Sequence, residues 1–204
     1  MGTLTIYGSA KTRALRPIWV AEELGLAYEH VPYANTDPAL KSANYLAITP
    51  MGSVPAITDG AFKLWESMAI AIYLARKGGT ALIPPGAEAE AKLLQWTFWA
   101  MTEAEKAIVT ILYHRMLYTE AERVPAEAAR AEQQALRCAG VANNVLASQP
   151  WFLGETFTLA DLNVASVFIF NAYIQLDFSP FPHLTAWMDR CLGRPAAQRM
   201  MARP

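Results

Sequence analysis

Hydrophobic and polar positions divide this chain into two stretches of different character. Residues 3–7, TLTIY, alternate as a half-buried strand does. From 13 to 24 the apolar positions Leu15, Ile18, Trp19 and Leu24 recur at helical spacing until Gly25 ends the run, and 27–31 reads as a second strand. A strand, a helix of that length and another strand form a crossover, so these strands are expected to be parallel. Residues 37–46 fit a shorter helix. Val54 to Thr58 and Ala61 to Leu64 are strand-like runs separated by Asp59-Gly60, a pair that accepts the positive φ angles of a tight turn and predicts an antiparallel hairpin. After Trp65-Glu66-Ser67 the run MAIAIYLARK predicts a helix over 66–77, stopped at Gly78-Gly79.

The order βαβαββα sets a hairpin beside a parallel pair, the arrangement of a thioredoxin-like sheet. Gly78-Gly79 and IPPG at 83–86 punctuate a linker, beyond which no segment resembles a strand. Helices are predicted over 88–118, 125–149, 158–176 and 182–202, the last broken at Pro195. The expected architecture is an α/β thioredoxin-like domain over 1–78, a linker over 79–87 and an all-α domain over 88–204. Thr158-Leu-Ala-Asp161 is a capping arrangement ahead of LNVASVFIFNAYI, which is apolar on nearly every face and so must be buried on all sides. That makes Asp161 a structural cap rather than a catalytic acid. LLQWTFWAM, 93–101, is also apolar around much of its circumference, and another helix or a second subunit must cover it.

Composition narrows the function classes. With 53% apolar residues the 204-residue chain is an ordered globule, and 17 basic against 18 acidic residues leave no electrostatic footprint for nucleic acid. The N-terminus MGTLTIYGSAKTR lacks the apolar run of a signal peptide, no apolar stretch reaches membrane-spanning length, and Ile6 stands where a myristoylation signal has Ser or Thr. A soluble, cytoplasmic protein is the expectation. Cys138 and Cys191 fall in helical segments without C-x-x-C or metal-ligand spacing, which predicts packed thiols.

The segment PMGSVPAITDGAFKLWES, 50–67, carries the candidate chemistry. Pro55 belongs at a strand entrance because it cannot donate a ladder hydrogen bond, and Val-Pro is a bond that can be cis. A cis bond would turn the amide and carbonyl of Val54 outward, where they could pair with the backbone of a peptide-like ligand. Ser67 suits a helix N-cap whose hydroxyl and free amides form an anion site, and Glu66 beside it can take an ammonium. Taken singly, the Val-Pro could merely fix a turn and Ser67 merely cap a helix. Their conjunction points to a small peptide or an α-amino acid end.

Taken together these residues resemble the glutathione S-transferase family over essentially the whole chain. The resemblance runs through LTIYGSAKTRALRPIWVAEELGLAYE, NYLAITPMGSVPAITDGAFKLWESMAIAIYLARK, FLGETFTLADLNVASV and LTAWMDRCLGRPAAQRM. It implies a thioredoxin-like domain that grips glutathione, a helical domain that lines an electrophile pocket, and a homodimer. Carried over residue by residue, Val54 pairs with the cysteinyl unit and Glu66 and Ser67 hold the γ-glutamyl end. Ser53 stands where many relatives have a lysine or glutamine for the glycyl carboxylate. Its side chain is too short for that, so the glycyl end is held more loosely or by another residue.

The implied reaction is attack of the glutathione thiolate on a small hydrophobic electrophile, with glutathione as co-substrate and no metal. A thiol of pKa near ~8.5 is mostly protonated at neutral pH, and lowering that by about two units requires roughly 2.7 kcal/mol of thiolate stabilisation. A hydroxyl donor and a helix N-terminus can supply it. Between the first strand and first helix the chain offers Tyr7, Ser9 and Thr12. Thr12 lies closest to the slot where relatives place an activating Ser or Cys, followed by Ser9 and then Tyr7; either Ser9 or Thr12 could instead only cap the helix. Without a cysteine here, mixed-disulfide chemistry is disfavoured. Lys11, Arg13 and Arg16 oppose the helix dipole, which singles out Arg13 as a contributor to thiolate or carboxylate binding, against the simpler reading of solvated side chains and a structural Arg16. Trp96, Trp99 and Tyr113 are candidates for an aromatic electrophile pocket and equally for core, and His114 has no evident partner. Glutathione-dependent peroxide reduction and a non-catalytic glutathione-binding or protein-interaction module are the alternative functions.

Overall fold

The computed structural model describes residues 2–79 and 81–204. The chain forms two compact units, Met1–Pro85 with Gly193–Pro204, and Gly86–Leu192. The sequence placed the closing twelve residues with the helical domain, whereas their helix packs on the first helix of the chain.

The first unit is built on a four-stranded sheet in the order β2-β1-β3-β4, with β1 at Leu4–Tyr7, β2 at Glu29–Val31, β3 at Ala56–Asp59 and β4 at Phe62–Trp65. β1 and β2 are parallel, as the crossover required, and β3 is antiparallel to both β1 and β4. Helix α1, Leu15–Leu24, ends in Gly25 at φ 61°, and its buried side includes Leu15, Ile18 and Trp19. Helix α3, Ser67–Lys77, packs beside α1 and lies on β3 and β4.

The hairpin turn sits one residue later than the sequence suggested. Asp59 pairs with Phe62, so the two turn residues are Gly60 and Ala61 rather than Asp59 and Gly60, with Gly60 at φ 60° in the first central position. The Asp59 side chain accepts from Tyr73 Oη at 2.6 Å and pairs with Lys77, which fastens the end of β3 to α3. The helix expected over 37–46 is split. Asp37 caps a 3-10 turn over Pro38–Lys41, then Ser42, with extended backbone, accepts from Tyr45 N and starts α2 at Ala43–Leu46.

The second unit is helical. Helix α4, Ala87–Trp99, continues through a π-helical stretch at Ala100–Glu105 into α5, Lys106–Leu112, and a second π-helical stretch at Tyr113–Leu117. Helix α6, Pro125–Leu146, opens with proline at its first position, and α7, Leu159–Phe168, is buried at every residue. The expected helix 158–176 is interrupted: α8 spans only Asn171–Ile174, because the Asn171 amide clamps both backbone groups of Leu176 and turns the chain. Helix α9, Pro182–Leu192, completes this unit, and α10, Pro195–Met201, begins at the predicted proline break and belongs to the first.

Asp161 is the structural cap that the sequence indicated. Its Oδ2 accepts from Thr158 N at 2.9 Å and Thr158 Oγ1 at 3.1 Å, and its Oδ1 accepts from Phe152 N at 2.8 Å and Trp187 Nε1 at 3.0 Å. Burial pushes its carboxyl above the ordinary aspartate value despite these four donors. Trp96 is core, packed against Trp99 and Phe152, whereas Tyr113 is exposed and packs at a tilt against Tyr118. His114 does have partners: Nδ1 accepts from Val124 N at 3.0 Å and Nε2 lies 3.4 Å from Glu127, tying the turn before α6 to the helix preceding it. Both cysteines are buried and neither is in a disulfide, and burial pushes the Cys138 thiol up to about 11, as expected of packed thiols.

Candidate functional site

Strand register gathers the candidate residues of the first unit at one edge of the sheet. Tyr7, the last residue of β1, pairs with Val31 of β2 and with Ala56, the first residue of β3; Ala56 in turn pairs with Trp65, the last residue of β4. Gly8-Ser9, the approach Ser53-Val54-Pro55 and the exit Glu66-Ser67 therefore emerge side by side. This is the carboxyl end of the parallel strands, the edge at which open α/β sheets hold ligands.

Gly8 is what allows the pieces to meet. Its φ is 125°, and a Cβ there would lie 2.7 Å from that of Ala14 and 3.0 Å from that of Val54. The loop that follows is pinned by backbone bonds, Gly8 N to Val31 O and Ser9 N to Tyr33 O, both at 2.8 Å. Thr12 is buried; its hydroxyl donates to Ser9 O at 2.7 Å and accepts from Ala14 N at 3.2 Å. Ser9 Oγ accepts from Lys11 N at 3.2 Å. Lys11 and Arg13 are exposed on the same loop.

The Val54-Pro55 bond is cis, the isomer the sequence allowed for. Val54 sits on a small core of Leu40, Tyr45 and Ala56, flanked by Tyr7 and Tyr33. Burial, with Tyr33 and Tyr7 alongside, pushes the Tyr45 phenol up, so it stays protonated and donates to Ser53 O at 2.9 Å. The Ser53 side chain is exposed. A charge the sequence reading did not single out stands next to it: Lys41 Nζ would lie 3.3 Å from a Cβ placed on Gly52.

Glu66 and Ser67 form the other half of the site. Glu66 adopts φ 74° and ψ 111°, a conformation that costs a non-glycine residue about 1–3 kcal/mol and is retained where function requires it. Its carbonyl accepts from Ile70 N, while no side chain caps the start of α3. The amides of the first turn are thus aimed toward the strand edge, a ready anion site. Behind them Arg16, fully buried, donates through Nη1 to Ser67 Oγ at 2.8 Å. That bond fills an acceptor position of the serine and leaves its own proton to give to an anion. Arg16 is the residue whose part the sequence could not reveal: a structural role was the simpler reading of it, but its partner lies 51 positions away. Among the described residues no group of three or more His, Cys, Asp or Glu side chains could hold a metal ion, and no helix is long and apolar enough to cross a membrane.

Residues 2–76 match the family model described as glutathione S-transferase, N-terminal domain, and residues 93–195 match glutathione S-transferase, C-terminal domain. Among curated proteins, glutathione S-transferase 3 of Zea mays is 32% identical over 99% of this chain and 95% of its own length. Glutathione S-transferase GstB of Escherichia coli K12 is 30% identical over 98% of this chain and 99% of its own. Among solved structures, the theta class glutathione S-transferase of Xanthomonas axonopodis pv. citri with glutathione bound superposes with a TM-score of 0.89 at 32% identity, covering 99% of this chain and 98% of that one. Ure2p in complex with glutathione, at 19% identity and a TM-score of 0.90 over 98% of this chain and 93% of that one, shares the fold.

Proposed function

This chain belongs to the glutathione S-transferase family, and from that membership we propose that it binds glutathione at the strand edge and transfers its thiolate to a small hydrophobic electrophile. The observation that carries the binding half is the start of α3, where the strained Glu66, the uncapped amides and the Arg16-supported Ser67 hydroxyl converge. In this reading Glu66 takes the γ-glutamyl ammonium and Ser67 with the adjoining amides takes its carboxylate. The Val54 backbone pairs with the cysteinyl unit, which positions the sulfur toward the loop 8–14. Lys41 supplies the cation that Ser53 cannot, opposite the glycyl carboxylate.

Thr12 is the proposed thiol activator and Ser9 the alternate. The Ala14 N–H donated to Thr12 Oγ1 polarises the hydroxyl, whose proton in the free protein rests on Ser9 O. A thiolate is a stronger acceptor than a neutral carbonyl, since a hydrogen bond to a charged group is roughly twice as strong. Sulfur within reach would therefore draw that proton away from Ser9 O. The same bond supports a second reading: where sulfur does not reach, Thr12 remains a cap and the protein is a glutathione-binding module.

Substitution of each hydroxyl separates these readings. Thr12→Val is expected to raise the pKa of bound glutathione by about one to two units and lower kcat by roughly 10- to 100-fold, with glutathione affinity held within a few-fold. Thr12→Ser restores both, and Ser9→Ala has little effect. The reverse pattern makes Ser9 the activator, and a wild-type protein that binds glutathione without lowering its thiol pKa is the module.

A further inference from the structure

The loop that carries Ser9 and Thr12 is also held from the other end of the chain. Ala10 N donates to the Pro204 oxygen at 2.9 Å. The segment leading there is fastened to α1 by three arginines. Arg194 grips Glu23 with two parallel bonds, Nε to Oε1 at 2.7 Å and Nη2 to Oε2 at 2.8 Å. Arg199 donates through Nε to Glu22 Oε2 at 2.7 Å and through Nη2 to Glu22 O at 2.8 Å. Arg203 Nη2 reaches Glu22 Oε1 at 2.9 Å, with its guanidinium 5.2 Å from the centre of the Tyr28 ring.

Helix physics accounts for the arginines. Glu22 and Glu23 occupy the last turn of α1, where the dipole disfavours negative charge, and their side chains are only 9% and 7% exposed. Carboxylates in that position need cations close by. Burial alone would push the Glu22 carboxyl up, but the bonds from Arg199, Tyr28 and Arg203 together outweigh it and hold it below the ordinary value. Helix α1 thus has basic residues at its start and acidic residues at its end, the reverse of what its dipole favours, and the cations that offset the acidic end are Arg194, Arg199 and Arg203, with Trp19 Nε1 and Tyr28 Oη also donating to Glu23 and Glu22.

We propose that residues 194–204 are a positioning strap: the arginine clamp on Glu22 and Glu23 holds Pro204 against Ala10, which fixes the loop that carries the activating hydroxyl. The catalytic consequence rests on the thiol-activation reading above. Because Val54 and Glu66 are placed by β3, β4 and α3, and Arg16 reaches Ser67 from the buried first turn of α1 rather than from the clamped last turn, loosening the strap alters thiol activation and leaves the hold on glutathione intact. Arg199 and Arg203 are half exposed, so added salt weakens the clamp in the same direction.

The test uses the 204-residue chain, Arg203→Ala, Arg203→Lys and a deletion of residues 203–204. Amide exchange at Ala10 is measured without glutathione, followed by the thiol pKa of bound glutathione, kcat and the glutathione dissociation constant. In Arg203→Ala and the deletion, Ala10 exchange is expected to rise by about 10-fold or more. The bound thiol pKa should rise by roughly half to one unit and kcat fall about 3- to 10-fold, with the dissociation constant within about two-fold and Arg203→Lys restoring most of the loss. Unchanged Ala10 exchange in the deletion overturns the proposal, and so does raised exchange with an unmoved thiol pKa. A wild-type protein that never lowers the thiol pKa counts against the activation reading instead, and Ala10 exchange then decides the strap by itself.

Discussion

Arg16 and Ser67 are 51 positions apart in the chain and meet in the interior, Nη1 to Oγ at 2.8 Å, with both residues buried. This bond couples the first turns of α1 and α3, the two helices whose starts face the candidate ligand. Ser67→Ala removes an acceptor from a buried guanidinium as well as a donor from the site. It is expected to cost about 2 kcal/mol in urea unfolding and roughly 10-fold in glutathione affinity by calorimetry. Arg16→Lys should lose most of the same affinity, since an ammonium does not reproduce the guanidinium fork.

Gly8→Ala tests the convergence of loop, helix and strand entrance. A methyl group would meet Ala14 and Val54 within 3.0 Å on a backbone at φ 125°. The expected outcome is at least about 2 kcal/mol of destabilisation and a loss of glutathione affinity, because Val54 must move.

Glu22→Gln carries a pH signature. The Glu22 carboxyl is held below the unfolded value of 4.5, so it stabilises the fold above that pH, and the contribution is lost as pH falls through the lowered folded value. Glu22→Gln should unfold at lower urea than wild type near neutral pH, and the gap should close on acidification below 4.5. A gap that stays constant at acid pH would show that the carboxylate charge is not its source.

Asp161→Ala strips acceptors from four donors at once, two of them backbone N–H groups and one the buried Trp187 indole. A loss of about 4 kcal/mol in denaturant unfolding is expected. Glutathione binding at the strand edge should persist in whatever fraction remains folded, which separates this cap from the ligand site.

Local patterns were enough for the strands, the helices and the two-part architecture, because each depends on periodicity and on punctuation by Gly and Pro within a few residues. The Asp161 cap was legible for the same reason, since it lies inside one short segment; Val54, Glu66 and Ser67 also lie in one short segment, and their proposed hold on glutathione is what the substitutions above test. The turn at Gly60-Ala61, one residue later than expected, was set by the pairing of Asp59 with Phe62, and the end of α8 by the Asn171 side chain clamping the backbone of Leu176, neither of which periodicity encodes.

The sequence by itself determined the sheet, the helical stretches and the identity of the groups proposed to meet a ligand. Tertiary structure decided what those groups are wired to. Arg16 under Ser67, Lys41 beside Gly52 and the Arg194, Arg199 and Arg203 clamp on α1 each join residues far apart in the chain. Charges that oppose a helix dipole are visible in a sequence, but the partners that make them tolerable exist only once the chain has folded back on itself.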